Sequence, residues 1–129
     1  MQFLRIFILN ILIIDDEKDF TDCLRSHLRL QHDTCIFNDS IEALEHFEAY
    51  QDYDIVIIDY IMPKLNGDEF IERICEIKPF QNIIISSGDI NKSDLNKIKK
   101  YNNSIKMITK PFDLSDLDEL LFSFNAKST

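Results

Sequence analysis

The chain has 129 residues, which is one ordinary domain and not two, and 45% of them are apolar, enough for a real core. Its 23 acidic and 14 basic residues leave a formal charge of −9, which argues against direct nucleic-acid binding and favours cations and basic protein surfaces. Cys23, Cys35 and Cys75 form no CxxC pair and accompany no His cluster at metal-ligand spacing, so they read as reduced thiols in a cytoplasmic protein.

Phe3 to Ile14 is almost continuously apolar, broken by Arg5 and Asn10. The stretch is too short for a membrane span, which needs about 20 residues, and it lacks a small-residue cleavage site. No membrane insertion is expected. Residues 1–9 read as an N-terminal apolar extension, residues 10–125 as the folded domain and residues 126–129 as a polar tail.

The first strand is expected at Ile11–Ile14, starting from Asn10. A helix follows that buries Phe20, Leu24 and Leu28, with Asp16 or Glu17 available as its N-cap. Thr34–Phe37 is a second strand, nearer a sheet edge. Asp39 and Glu42 resemble a capping box opening a helix whose apolar stripe is Ile41, Leu44, Phe47 and Tyr50. Asp54–Ile58 is the third strand. Phe70, Ile71, Ile74 and Ile77 mark a helix ended by Pro79. Asn82–Ser86 is the fourth strand, Ser93–Tyr101 a short polar helix and Ile105–Ile108 the fifth strand. Leu114, Leu117, Leu120, Leu121 and Phe124 stripe the last helix. The two glycines, Gly67 and Gly88, are each expected where the backbone demands them.

Most of the strand runs are continuous and β-branched, the pattern of strands buried on both faces of a parallel sheet. Five alternations of strand and helix define an α/β fold, a single doubly wound five-stranded parallel sheet with five helices. In such sheets ligands sit beyond the carboxyl ends of the strands. Asp15, Asp16 and Glu17 follow the first strand, Asp59 the third, Ser87 and Gly88 the fourth, and Thr109, Lys110 and Pro111 the fifth. Carboxylates, a hydroxyl and a lysine therefore converge. Clustered carboxylates favour a hard cation such as Mg²⁺, and a carboxylate can itself attack a phosphoryl group.

Four motifs carry a family resemblance: Ile13-Ile14-Asp15-Asp16-Glu17, Asp59 through Gly67, Ile85-Ser86-Ser87-Gly88, and Thr109-Lys110-Pro111-Phe112. Together, each after an expected strand, they make the chain resemble the receiver domains of two-component signalling, the CheY-like superfamily. That resemblance implies a flavodoxin-like strand order of 2-1-3-4-5 and a phosphoacceptor role for Asp59. It implies Asp16 and Asp59 as direct Mg²⁺ ligands, Asp15 close by, and the Ile61 backbone carbonyl as a further ligand. Ser87 and Lys110 would contact the phosphoryl group, and the Lys110–Pro111 bond would be cis. The donor would be a sensor histidine kinase or histidine phosphotransfer protein. The signal would leave through the fourth helix, fifth strand and fifth helix, toward an effector protein or a missing output domain. Any homodimer would use the same surface.

The family usually has Tyr or Phe three residues before the lysine as a rotating switch, and this chain has Met107. The domain would assist only its own phosphorylation and dephosphorylation and would not be an enzyme with a turnover substrate. A haloacid dehalogenase-type phosphatase needs a second Asp two residues after the nucleophile, where this chain has Ile61. A flavodoxin needs a hydroxyl- and Gly-rich phosphate loop where this chain has Asp15-Asp16-Glu17. A receiver-like domain that only binds partners would not need the complete acidic set. His27, His32 and His46 have no supporting pattern for a site role.

Overall fold

The computed structural model describes residues 8–88, 90–102 and 104–126. The expected elements appear in order: β1 (Asn10–Ile14), α1 (Lys18–Leu28), β2 (Asp33–Phe37), α2 (Ser40–Ala49), β3 (Ile55–Ile58), α3 (Gly67–Ile77), β4 (Asn82–Ser87), α4 (Lys92–Lys99), β5 (Ile105–Thr109) and α5 (Leu114–Ala126). The strands form one sheet in the order β2-β1-β3-β4-β5, all parallel.

Side-chain alternation along the strands makes two cores. Leu12, Ile14, Val56, Ile58, Ile83 and Ile85 pack with α2, α3 and α4. Ile11, Ile13, Ile55, Ile57 and Ile84 pack with α1 and α5. Coverage on both sides is why these runs are apolar at every position and not at every second one. β2 is an edge strand with residues only partly buried or exposed, as its mixed composition requires.

Several details differ from the sequence reading. On α1 the buried residues are Thr21, Leu24 and Leu28, and Phe20 is only partly buried. The buried stripe of α2 is Ser40, Ala43, Leu44 and Phe47, whereas Ile41 and Tyr50 are 42% and 46% exposed. Small side chains at Ser40 and Ala43 face the neighbouring structure, and a stripe chosen by apolarity alone passes over them. Gly88 has a negative or extended φ and open space where a Cβ would stand, so neither sterics nor φ demands glycine there. Gly67 does meet that demand. Leu9, counted with the N-terminal extension, is 7% exposed, packs in the α1–α5 core and accepts a backbone bond from Asp33. Met1–Phe7 and residues 127–129 lie outside the described residues.

The histidines serve packing and polar contacts. His27 on α1 lies 2.9 Å from Asp118 on α5, His32 accepts the Leu9 N–H at 3.1 Å, and His46 bonds the Tyr53 hydroxyl at 2.6 Å. Among the described residues no helix is long and apolar enough to cross a membrane.

Candidate functional site

The sheet register assembles the site. Ile14 pairs with Ile58, so the next residues, Asp15 and Asp59, leave adjacent strands side by side. The ladder continues one step past the strands: the Asp59 N–H donates to the Ile14 carbonyl at 3.0 Å, and the Asp15 N–H to the Phe37 carbonyl at 3.2 Å. On the other flank Ser87 pairs with Thr109, and the Lys110 N–H donates to the Ser87 carbonyl at 2.8 Å. The Lys110–Pro111 peptide is cis.

Asp15 and Asp59 are 2% and 7% exposed. Asp15 Oδ1 accepts the Glu17 N–H at 2.9 Å, and Asp15 Oδ2 accepts from Lys110 Nζ at 2.7 Å. Lys110 Nζ also lies 3.5 Å from Glu17 Oε1 and 3.8 Å from Asp59 Oδ2. The Phe20 ring sits beneath the same ammonium, its centroid 4.2 Å away. One lysine thus faces three carboxylates.

That balance is incomplete, and the proton affinities show it. Burial, then the charge of Asp15, push the Asp59 carboxyl up to about 6, against the pull of Lys110. Burial also raises Asp15, opposed by its bonds from Lys110 and the Glu17 N–H. Burial works against the Lys110 charge. The Asp15 hydrogen bond and the charges of Asp15, Asp59 and Glu17 outweigh it, and the ammonium is held above its ordinary range. Among the described residues, oxygens of Asp15, Glu17 and Asp59 all lie within 4.8 Å of one another. Three hard oxygen donors with unrelieved mutual repulsion suit a hard divalent cation.

The sequence-predicted residues fall into two groups. Asp15, Asp59 and Lys110 meet directly. Glu17, not singled out as a site residue from sequence, joins them because the turn at Asp15 folds it back toward Lys110. Asp16 is exposed and lines a small cleft with Asn38, Ser40 and the Met62–Lys64 segment, although its charge still reaches Asp59. Ile61 follows Asp59 in the turn, its N–H 3.4 Å from Asp59 Oδ1. Ser87 is 1% exposed. By alternation it shares the α2–α4 face with Ile83 and Ile85. Half-buried Met107, the partner of Ile85, packs on that same face. Ser86 belongs to the opposite face; its hydroxyl is buried and has no hydrogen-bond partner among the described residues.

Comparison with known proteins gives the family. The response regulator receiver domain family model matches residues 11–122, and the chain belongs to that family. It is 30% identical over 89 residues to the transcriptional regulatory protein CpxR homolog of Haemophilus influenzae, covering 68% of this chain and 37% of that protein. It is 28% identical over 120 residues to the autoinducer 1 sensor kinase/phosphatase LuxN of Vibrio campbellii, covering 92% of this chain and 14% of that protein. The chain therefore spans well under half the length of these relatives. Among solved structures, a response regulator receiver domain protein from Clostridium thermocellum superimposes with a TM-score of 0.83 at 26% identity, covering 94% of this chain and 98% of the other. The chemotaxis protein CheY4 of Vibrio cholerae gives 0.82 at 20% identity, covering 92% and 99%, a likeness of fold.

Proposed function

We propose that this receiver domain accepts a phosphoryl group on Asp59 from a phosphohistidine of a sensor histidine kinase or histidine phosphotransfer protein. The observation that carries this reading is the buried Asp59 carboxylate at the end of a central strand, 3.8 Å from Lys110 and beside Asp15. A carboxylate oxygen of Asp59 bonds to phosphorus as the phosphorus–nitrogen bond breaks; the departing imidazole keeps the electron pair and takes a proton. Hydrolysis later breaks the new phosphorus–oxygen bond and returns the carboxylate. The domain assists these two steps on itself and turns over no separate substrate.

Asp16, Asp59 and the Ile61 carbonyl would hold Mg²⁺ with Asp15 close by, and Glu17, whose oxygen lies within 4.8 Å of those of Asp15 and Asp59, is a further candidate ligand. When bound, the ion supplies positive charge to the phosphoryl oxygens and offsets the carboxylates. Lys110 would exchange its Asp15 partner for a phosphoryl oxygen, and the Ser87 hydroxyl would meet another. The signal would leave through α4, β5 and α5 to an effector protein or an output domain, and a homodimer would form on that same face. A cytoplasmic setting follows from the donor.

The test uses acetyl phosphate as donor. A phosphoryl increment on the intact protein should appear with Mg²⁺ and vanish with a chelator. An adduct formed equally well without divalent metal contradicts the reading. Glu17→Gln and Asp16→Ala, titrated with Mg²⁺ separately, decide which carboxylate completes the set.

Lys110 competes with a cation for the same oxygens. Lys110→Ala should therefore bind Mg²⁺ more tightly, by about 1 kcal/mol or roughly fivefold, at a partly screened site. The same variant should fail to pass the signal onward. Weaker Mg²⁺ binding in calorimetry would show that Lys110 organises the carboxylates and does not compete for them.

Met107 stands where the switch residue is expected, diagonal to Ser87 on one face. An unbranched side chain can fill a space vacated by Ser87 without a ring. Methyl NMR should show the Met107 resonance shifting when Asp59 carries a phosphoryl mimic. An unmoved resonance, with shifts in α4, would place the route elsewhere.

A further inference from the structure

The junction between β2 and α2 contributes none of the reacting groups, yet it grips both halves of the site. On one side the Phe37 carbonyl accepts the Asp15 N–H, and Asn38 Nδ2 donates to the Asp15 carbonyl at 2.8 Å. On the other, Ser40 holds the loop that runs from Asp59 to α3. Its hydroxyl donates to the Pro63 carbonyl at 3.1 Å and accepts the Leu65 N–H at 3.2 Å. Ser40 is 3% exposed.

We propose that Ser40 is a positioning residue: its doubly bonded hydroxyl fixes the β3–α3 loop, and with it the Ile61 carbonyl and Asp59, relative to Asp15. This rests on the Mg²⁺ and phosphoacceptor reading above. Two features support it. Lys64, between the two backbone groups Ser40 holds, has φ 71°, a left-handed conformation that a non-glycine residue keeps only when its surroundings impose it. A second polar tie across this gap among the described residues is the ion pair of Lys64 with Asp39, and the Lys64 side chain is 61% exposed. Exposed pairs contribute little. The Leu65 N–H also reaches the Pro63 carbonyl at 2.8 Å, so removing the Ser40 hydroxyl leaves these two groups bonded to each other but untied from α2. The buried Ser40 hydroxyl therefore ties this loop to the start of α2, while the Gly67 N–H to Tyr60 carbonyl bond closes the loop on itself.

The experiment compares Mg²⁺ affinity by calorimetry, and acetyl phosphate labelling rate at saturating Mg²⁺, in four full-length proteins. Ser40→Ala should bind Mg²⁺ about tenfold more weakly and label more slowly, the size of effect seen for groups that orient metal ligands. Ser40→Thr, which keeps the hydroxyl, should recover most of the loss. Asp39→Ala loses the α2 cap and the Lys64 pair, so it should melt lower yet bind Mg²⁺ as the wild type does. In the wild type the Leu65 amide should exchange as slowly as the strand amides of β3. Wild-type affinity in Ser40→Ala, equal weakening in Ser40→Ala and Asp39→Ala, or fast exchange at Leu65 overturns the positioning role. A wild-type protein that binds no Mg²⁺ overturns the site reading itself.

Discussion

Asp59→Asn is expected to melt higher than the wild type at pH 7.5 without Mg²⁺. Burial and Asp15 raise the Asp59 carboxyl to about 6 in the folded chain, from the ordinary 3.8. At neutral pH the folded state therefore carries a charge that the unfolded chain holds more easily. The sign follows from proton uptake: between roughly pH 4 and 6 the folded state binds the extra proton, so this group's contribution to stability rises as pH falls through that window. The amide removes the charge at every pH. Discounting the full shift because water reaches the cluster, the gain is on the order of 1–2 kcal/mol at pH 7.5, or several degrees. The gap between variant and wild type should narrow by pH 5 and largely close near pH 4. Taking the difference between the two proteins removes the opposing contribution of His32, whose half-buried ring is held below its ordinary range by partial burial. A variant less stable than the wild type at pH 7.5 would mean that the Lys110 attraction outweighs burial and the repulsion from Asp15.

Gly67→Ala should be the most damaging single methyl in the loop. The Gly67 N–H donates to the Tyr60 carbonyl at 2.7 Å. A Cβ there would stand 2.6 Å from Tyr60 Cα, 2.8 Å from the Tyr60 carbonyl oxygen and 2.9 Å from the Asp59 carbonyl oxygen. None of these atoms is the end of a flexible side chain, so the backbone itself must move. Alanine would gain up to about 1 kcal/mol in helix propensity at this first position of α3. Overpacking against fixed backbone costs about 1–3 kcal/mol and decides the sign. The displaced atoms belong to Asp59 and its neighbour, so the Mg²⁺-induced rise in melting temperature should shrink as well. A Gly67→Ala protein with wild-type stability and an undiminished Mg²⁺ response would show that the loop relaxes freely.

The fold was legible because it rests on local, repeated signals. Continuous β-branched runs appear where a strand is covered on both faces, and β1, β3 and β4 are such strands. Register then follows from the strand ends, which is why Asp15, Asp59 and Lys110 could be brought together from sequence. What sequence did not show depends on turn geometry and on small residues. Asp15 and Asp16 are consecutive, and the turn directs one inward and leaves the other exposed; Glu17 returns to the cluster because its own N–H binds Asp15. Ser40 looks like an ordinary helix-start residue, and only its contacts across to Pro63 and Leu65 distinguish it. Ile41 and Tyr50 look like core, but Ile41 lies on the outer side of α2, whose buried residues are Ser40, Ala43, Leu44 and Phe47, and Tyr50 follows the helix end as an extended C-cap, half exposed.

The central claim is that Asp59 takes the phosphoryl group. The most direct measurement labels the wild-type protein with acetyl phosphate and Mg²⁺, reduces the acyl phosphate with borohydride, and locates the modified residue by peptide mass spectrometry. Acyl phosphate chemistry on a carboxylate converts that aspartate to homoserine. The account predicts homoserine at position 59 and no label in Asp59→Asn. Homoserine at position 15 or 16, the five-carbon hydroxy amino acid that reduction of a glutamyl phosphate gives at position 17, or undiminished labelling of Asp59→Asn, would contradict it.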